Sequence, residues 1–219
     1  MKRLLIVLVL FMSVLALSAQ VKEKTFADLK NEGNTAIKAK DYAKALDLYE
    51  QALVKNGATP IADTTMMFNM GYCAFNAKIY DKALKYFDQS FTEKHMKVSS
   101  LLYKADTYKA MKNDAESLKT MEAALAIAPN DVKVKGKLAS YYVKEATNFY
   151  SKGGGVITKA NAEVTAGKLK ANDPAYKAAL AKASDEFKKA MPMIEKALSF
   201  DPNNTTAQKL KTACEDALK

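Results

Sequence analysis

Apolar residues recur along most of this chain at three- and four-residue steps, the spacing that lines one face of an α-helix. Met67, Met70, Gly71 and Ala74 hold one such face, and Tyr80, Ala83, Leu84, Phe87 and Phe91 hold the next. Between them, Ala77-Lys78-Ile79 leaves room only for a tight reversal. The pattern therefore predicts two short helices packed antiparallel through the small residues Gly71 and Ala83. Neither helix can bury its face alone, so a copy is needed beside the pair.

The copies are in the sequence. Gly33 followed by the run Asp41 to Leu53 matches Gly71 followed by the run Tyr80 to Phe91, and Gly33 to Gly71 and Ala45 to Ala83 are both steps of about 38 residues. A third copy puts Ala105 in the glycine's place and Ser117 in the alanine's, and ends at Pro129. A fourth ends at Pro202. A period near 34 residues with this content predicts a helix-turn-helix solenoid.

These residues resemble the tetratricopeptide repeat family from about Phe26 to the end of the chain. The small residue of the first helix, the alanine of the second, the aromatic four positions later (Tyr49, Phe87) and the terminal proline (Pro129, Pro202) carry the resemblance. Tryptophan, frequent near the start of the family's first helix, is replaced by Leu29, Met67 and Leu101. The expected fold is all-α, a tetratricopeptide-type solenoid over residues 20–219. Its repeats fall at about 26–57, 64–97, 98–131 and 132–204, with a capping helix over 205–219.

The fourth unit departs from the period. Its second helix, placed by Ala190 and Ala197, comes about 39 residues late, yet the extra stretch near 147–185 is not loop-like. Tyr142, Ala146, Phe149, Gly153, Val156 and Ala160 alternate steps of four and three, as do Tyr176, Leu180, Ala183, Phe187, Ala190, Ile194 and Ala197. That is a coiled-coil seam. With Asp173 as an N-cap and Pro174 at the first helical position, it predicts a long antiparallel hairpin projecting by about 18 Å. Gly153-Gly154-Gly155 and Pro192 strain it, at about 1 kcal/mol per glycine and about 3 kcal/mol for the proline. A kink is expected at each, first at the glycines; the triplet reads as a close helix crossing ahead of a functional hinge.

The N-terminus adds an address. Lys2 and Arg3, an apolar run from Leu4 to Leu17, and Ser18-Ala19-Gln20 predict a secretory signal peptide over 1–19, with a retained anchor as the alternative. The protein is then exported, to the periplasm or cell envelope, and no later segment is apolar enough to span a membrane. Removing Lys2 and Arg3 from 34 basic residues leaves 32 against 24 acidic ones, and all 32 are lysine. Without arginine's planar fork, sequence-specific nucleic-acid binding is not expected. Lysines such as Lys38, Lys40, Lys44 and Lys133, Lys135, Lys137 read as a solvated face, or as a weak attraction for an anionic polymer or membrane surface. Cys73 and Cys214 lie two repeats apart and are expected to stay unpaired, and His95, the single histidine, falls in a turn.

No catalytic constellation, cofactor motif or metal-ligand spacing is present, so the sequence reads as a non-catalytic binding or scaffold protein with a protein or peptide partner. The resemblance places a partner in the concave surface of the first helices. There it implies Lys30, Asn34, Ile37 and Lys38 from the first copy, Phe68, Tyr72, Phe75 and Asn76 from the second, and Leu102, Asp106 and Lys109 from the third. Phe68, Tyr72 and Phe75 share one stripe, either an open anchor or core. Lys30, Asn34 and Asn69 fall on three positions of the family's clamp for a peptide carboxylate, but Ser99 and Tyr103 stand where its further basic residues belong. The projecting hairpin reads as either a second contact surface or an arm, with weak self-association through it as a further reading.

Overall fold

The computed structural model describes residues 23–57, 63–91 and 94–219. The predicted signal segment therefore lies outside the described residues, as does the side chain of His95. The backbone of His95 belongs to the first turn of a helix, not to a turn between repeats. Among the described residues all regular structure is helical, and no helix is long and apolar enough to cross a membrane.

The helices divide into two compact units, one ending at Ser90 and one beginning at Phe91. The first holds α1 (Phe26–Lys38), α2 (Tyr42–Asn56), α3 (Thr64–Asn76) and α4 (Tyr80–Ser90). Short polar side chains start three of these helices. Thr25 and Asp28 form a reciprocal capping box on α1, and Asp41 and Asp63 accept from the third backbone N–H of α2 and α3. Each pair closes around a missing side chain. Gly33 of α1 faces the fully buried Tyr49 ring of α2, and Gly71 of α3 faces the buried Phe87 ring of α4. A β-carbon at either glycine would sit 2.7 Å from a ring carbon.

The second unit holds α5 (Lys94–Ala110), α6 (Asp114–Ile127), α7 (Val132–Thr165), α8 (Pro174–Phe200) and α9 (Thr205–Ala217). In α5 and α6 the same spacing puts Ala105 and Met121 in one buried cluster, and the buried Ser117 hydroxyl donates to the Ala105 carbonyl at 2.9 Å. The serine in the alanine's place thus satisfies its own polar group. α7 and α8 form the long antiparallel hairpin. α9 packs its buried Ala207 and Cys214 on that pair and turns Lys209, Glu215 and Asp216 to solvent.

At the glycines the structure has the close crossing rather than a break, and two expectations for the reversal need correction. α7 runs unbroken through Gly153-Gly154-Gly155, because the first of these is the crossing point itself. A β-carbon at Gly153 would meet the buried Phe187 ring at 2.6 Å, so the glycine lets α8 approach where a side chain would hold it off. α8 likewise continues across Pro192. Asp173 stands at the N-cap with Pro174 behind it, but its carboxylate makes no bond to α8 and accepts instead from the Lys170 N–H at 2.7 Å. The reversal is also longer than Ala171 to Pro174, since α7 ends at Thr165 and Gly167 makes the first turn at φ 71°.

Lysine occupies an unusual place in the three shorter turns. Lys40, Lys78 and Lys112 all have φ near 60° and close the preceding helix with paired 5→2 and 6→1 hydrogen bonds, as in Lys40 N–H to Ile37 and Asp41 N–H to Ala36. Glycine is the usual residue at that point, because a β-carbon is strained in the left-handed region. Replacing any of the three by glycine is expected to raise stability by up to about 1 kcal/mol, read as a higher urea midpoint. An unchanged or lower midpoint would mean that the lysine stems pack usefully.

Candidate functional site

The first unit spends most of its candidate residues on its own packing. Lys30 pairs with Asp63, the N-cap of α3, whose other oxygen accepts the Met66 N–H at 2.9 Å. The Tyr49 hydroxyl donates to Asn34 Oδ1 at 2.7 Å and is also bonded by the Asn69 side chain. Burial, followed by the nearby Cys73 and Asp63, pushes that phenol up to about 12, so it stays a donor at any physiological pH. The three clamp-position residues therefore tie α1, α2 and α3 together. Burial also pushes the Cys73 thiol up to about 12; both cysteines are free and buried.

The aromatic stripe is half-buried. Phe68 lies 5.8 Å from Phe87, Tyr72 meets Tyr42 edge-on at 5.6 Å, and Phe75 lies 6.3 Å from Tyr80, all between ring centroids. Asn76 follows the stripe and donates to the Tyr72 carbonyl at 2.8 Å. Each ring is fixed by a neighbour of its own unit and keeps part of its surface in solvent.

Burial works to raise the Asp63 carboxyl, but the Lys30 ammonium and the backbone N–H groups of α3 outweigh it and hold the group below the usual carboxylate range. A carboxyl lowered in the folded state stabilises fully above its unfolded value and loses that contribution as pH falls through its folded value. Lys30→Met should therefore cost well under about 1 kcal/mol at pH 7, and its deficit should shrink in acid; urea unfolding at both pH values checks this. A deficit that grows in acid would contradict the pairing.

The second unit is built differently. Leu102, Asp106 and Lys109 stand at i, i+4 and i+7 of α5, on the side facing the first turns of α7. Between the two helices runs an open groove of about 600 Å³. Ser99, Leu102, Tyr103 and Asp106 line it from α5, and Lys133, Gly136, Lys137 and Ser140 from α7. Leu102 is its buried apolar floor. The space exists because α7 presents a glycine and a serine there, and a β-carbon on Gly136 would meet nothing within 4 Å.

One wall is polar and held in place. The Lys137 ammonium spans both Asp106 oxygens at 2.6 and 2.7 Å, with both side chains about a third exposed (35% and 33%). The groove continues into a recess of about 200 Å³ that shares Asp106, Lys137 and Ser140 and adds Lys109, Tyr141 and the 2.9 Å Lys144–Asp114 pair. The hydrogen bond to Asp114 raises the Lys144 ammonium. Lys109 and Lys133 are exposed at the rim. An apolar floor, a fixed carboxylate–ammonium pair and two rim lysines can hold a peptide by its side chains and its backbone at once. Among the described residues no three His, Cys, Asp or Glu come together as a metal site would require.

The structure thus brings Leu102, Asp106 and Lys109 to one groove and directs Lys30, Asn34 and Asn69 into the packing of the other unit. The α7 half of the groove was not foreseen: Lys133 and Lys137 read as a solvated face. The available signal was Gly136, an exposed glycine inside a helical pattern with no turn to explain it.

Residues 98–131, which are most of α5, all of α6 and the turn after it, match the tetratricopeptide repeat. A tetratricopeptide-repeat protein of Bacteroides fragilis is 26% identical, with a TM-score of 0.51, over 89% of this chain and 99% of its own. Residues 98–131 thus form a tetratricopeptide repeat, and the chain shares the fold of a tetratricopeptide-repeat protein over most of its length. Its fold class is the helix-turn-helix solenoid of that family, with one repeat drawn out into the α7–α8 hairpin and α9 as cap. Two further solved structures are similar at lower levels. A Bacteroides ovatus protein is 16% identical with a TM-score of 0.48, covering 89% of this chain and 98% of its own. YrrB, a tetratricopeptide-repeat protein with an unusual peptide-binding site, is 16% identical with a TM-score of 0.43, covering 84% and 91%. No curated protein matches the chain. The tetratricopeptide-repeat fold supports a role as a protein-interaction module.

Proposed function

We propose that this protein is a non-catalytic binding or scaffold module of the bacterial cell envelope that takes a protein or peptide segment into the α5–α7 groove. The observation that carries the reading is the groove of about 600 Å³ floored by Leu102 and walled by the Asp106–Lys137 pair. The location rests on the signal-like pattern of residues 1–19. An apolar floor gives a partner an anchor that salt does not screen, while Lys109 and Lys133 add attraction for its carboxylates.

Capture from envelope extract tests it. The wild-type chain should retain a protein at high salt, and Lys109→Glu/Lys133→Glu should lose it. The same two reversals at the exposed Lys38 and Lys40 should not. Retention that vanishes with salt alone, and equally with either pair of reversals, would favour a lysine-rich module on an anionic polymer or membrane surface instead.

A further inference from the structure

Beyond the groove, the outer part of the α7–α8 hairpin carries a second surface with a different character. On one side, Val156, Lys159, Ala160 and Glu163 of α7, Leu169 of the reversal, and Ala175, Ala178, Ala179 and Lys182 of α8 enclose a furrow of about 380 Å³. Its floor is nearly all methyl groups. Lysines stand on both walls.

Between residues 152 and 182 there are six lysines and two carboxylates. Of the two acids, Asp173 accepts the Lys170 N–H in the reversal, and Glu163 lies in the furrow wall. Among the described residues Lys159, Lys168, Lys170, Lys177 and Lys182 join no ion pair, and Lys182 acts on Glu186 only through space. Other lysines that reach a neighbouring helix find a carboxylate there, as Lys82 does in Glu50 and Lys144 in Asp114. The outer hairpin therefore presents a net positive surface with few carboxylates of its own to balance it.

The hairpin is also rigid enough to present a surface. Gly153 closes on Phe187, Phe187 lies 5.4 Å from Tyr150, and the Tyr176 hydroxyl donates to Asn161 Oδ1 at 2.7 Å further out. A furrow between two antiparallel helices with small residues along it fits a third helix, whose apolar stripe seats in it at close range. We propose that the outer hairpin docks an acidic amphipathic helix of a partner protein, with its apolar stripe on Val156, Ala160, Leu169 and Ala179 and its carboxylates on Lys159 and Lys182. A lipid surface fits less well. Insertion needs protruding large apolar side chains, and the large exposed one on this part of the hairpin is Leu180, at 39%. A second copy of the chain would set six lysines against six.

The test uses the chain and a phage-displayed library of random helical peptides, followed by fluorescence anisotropy of the enriched peptides. Enriched sequences should carry acidic residues flanking apolar ones at steps of three and four. Their affinity should fall by about tenfold or more in Lys159→Glu/Lys182→Glu and in Ala179→Glu, and stay unchanged in Lys38→Glu/Lys40→Glu. Circular dichroism should show the variants folded, since all five positions except Ala179 are exposed and Ala179 is half-exposed. No acidic enrichment, or peptides that bind wild type and hairpin variants alike, overturns the proposal. So does binding of the chain to phosphatidylglycerol vesicles that is lost in the hairpin variants while no peptide binds, or a concentration-dependent mass that these variants abolish.

Discussion

Alanine at Gly153 should lower the stability of the chain by about 1–3 kcal/mol, whereas alanine at Gly154 or Gly155 should raise it by up to about 1 kcal/mol. The three glycines are consecutive in one helix, and glycine's helix penalty is the same at each. What differs is the space. At Gly154 and Gly155 an added β-carbon meets nothing within 4 Å, so only the helix gain is felt. At Gly153 it meets Phe187 carbons at 2.6 and 3.0 Å. That ring cannot swing aside: it is 3% exposed and lies against Tyr150. Overpacking then outweighs the propensity gain, and the hairpin must open slightly or the ring must leave its rotamer. Urea unfolding of the three single variants decides it. Three midpoints that rise together would mean that α7 and α8 do not meet at Gly153.

Leucine at Gly136 should separate stability from binding by moving them in opposite directions. The position is exposed and helical, so the substitution removes glycine's cost of about 1 kcal/mol and raises the melting temperature. The new side chain occupies space that a partner would fill, between the Leu102 floor and the Lys133 rim. Binding of the captured protein should weaken by about tenfold or more, with Gly136→Ala intermediate. Loss of binding in a destabilised variant would say little, but loss in a stabilised one points to the groove. A Gly136→Leu chain that melts higher and still binds as wild type would remove the groove from the account.

Most of the architecture could be read from apolar spacing because the repeat uses the same solution several times. Gly33 with Tyr49, Gly71 with Phe87 and Ala105 with Met121 each set a small residue and a large one sixteen positions apart, across a turn too short to vary. The hairpin was legible for a related reason: a seam of fours and threes keeps its phase whatever its length. The glycine triplet could be read as a crossing, but not which ring it meets. Sequence shows what glycine costs a helix, but Phe187, the ring that makes Gly153 necessary, comes 34 residues later. Local rules likewise placed Asp173 as a cap without revealing that the Lys170 N–H would take its carboxylate.

The site was partly legible. Family positions placed Leu102, Asp106 and Lys109 on one face of α5, where the structure finds the groove. They could not say that Lys30 would be drawn to Asp63, or Asn34 and Asn69 to Tyr49, because those partners come from other helices. Gly136 and Ser140 make the opposite point. Small residues on a polar helix face look like nothing in particular until a second helix stands across from them.

The central claim is that the α5–α7 groove is where a partner sits, and site-specific photocrosslinking tests it most directly. A benzophenone amino acid replaces either Ser140, exposed within the groove, or Lys119, exposed on α6 with its side chain 78% accessible. Irradiation in envelope extract should give a discrete adduct from the Ser140 chain and none from the Lys119 chain, and Gly136→Leu added to the Ser140 chain should abolish it. Equal adducts from both positions, or an adduct from Lys119 alone, would contradict the account.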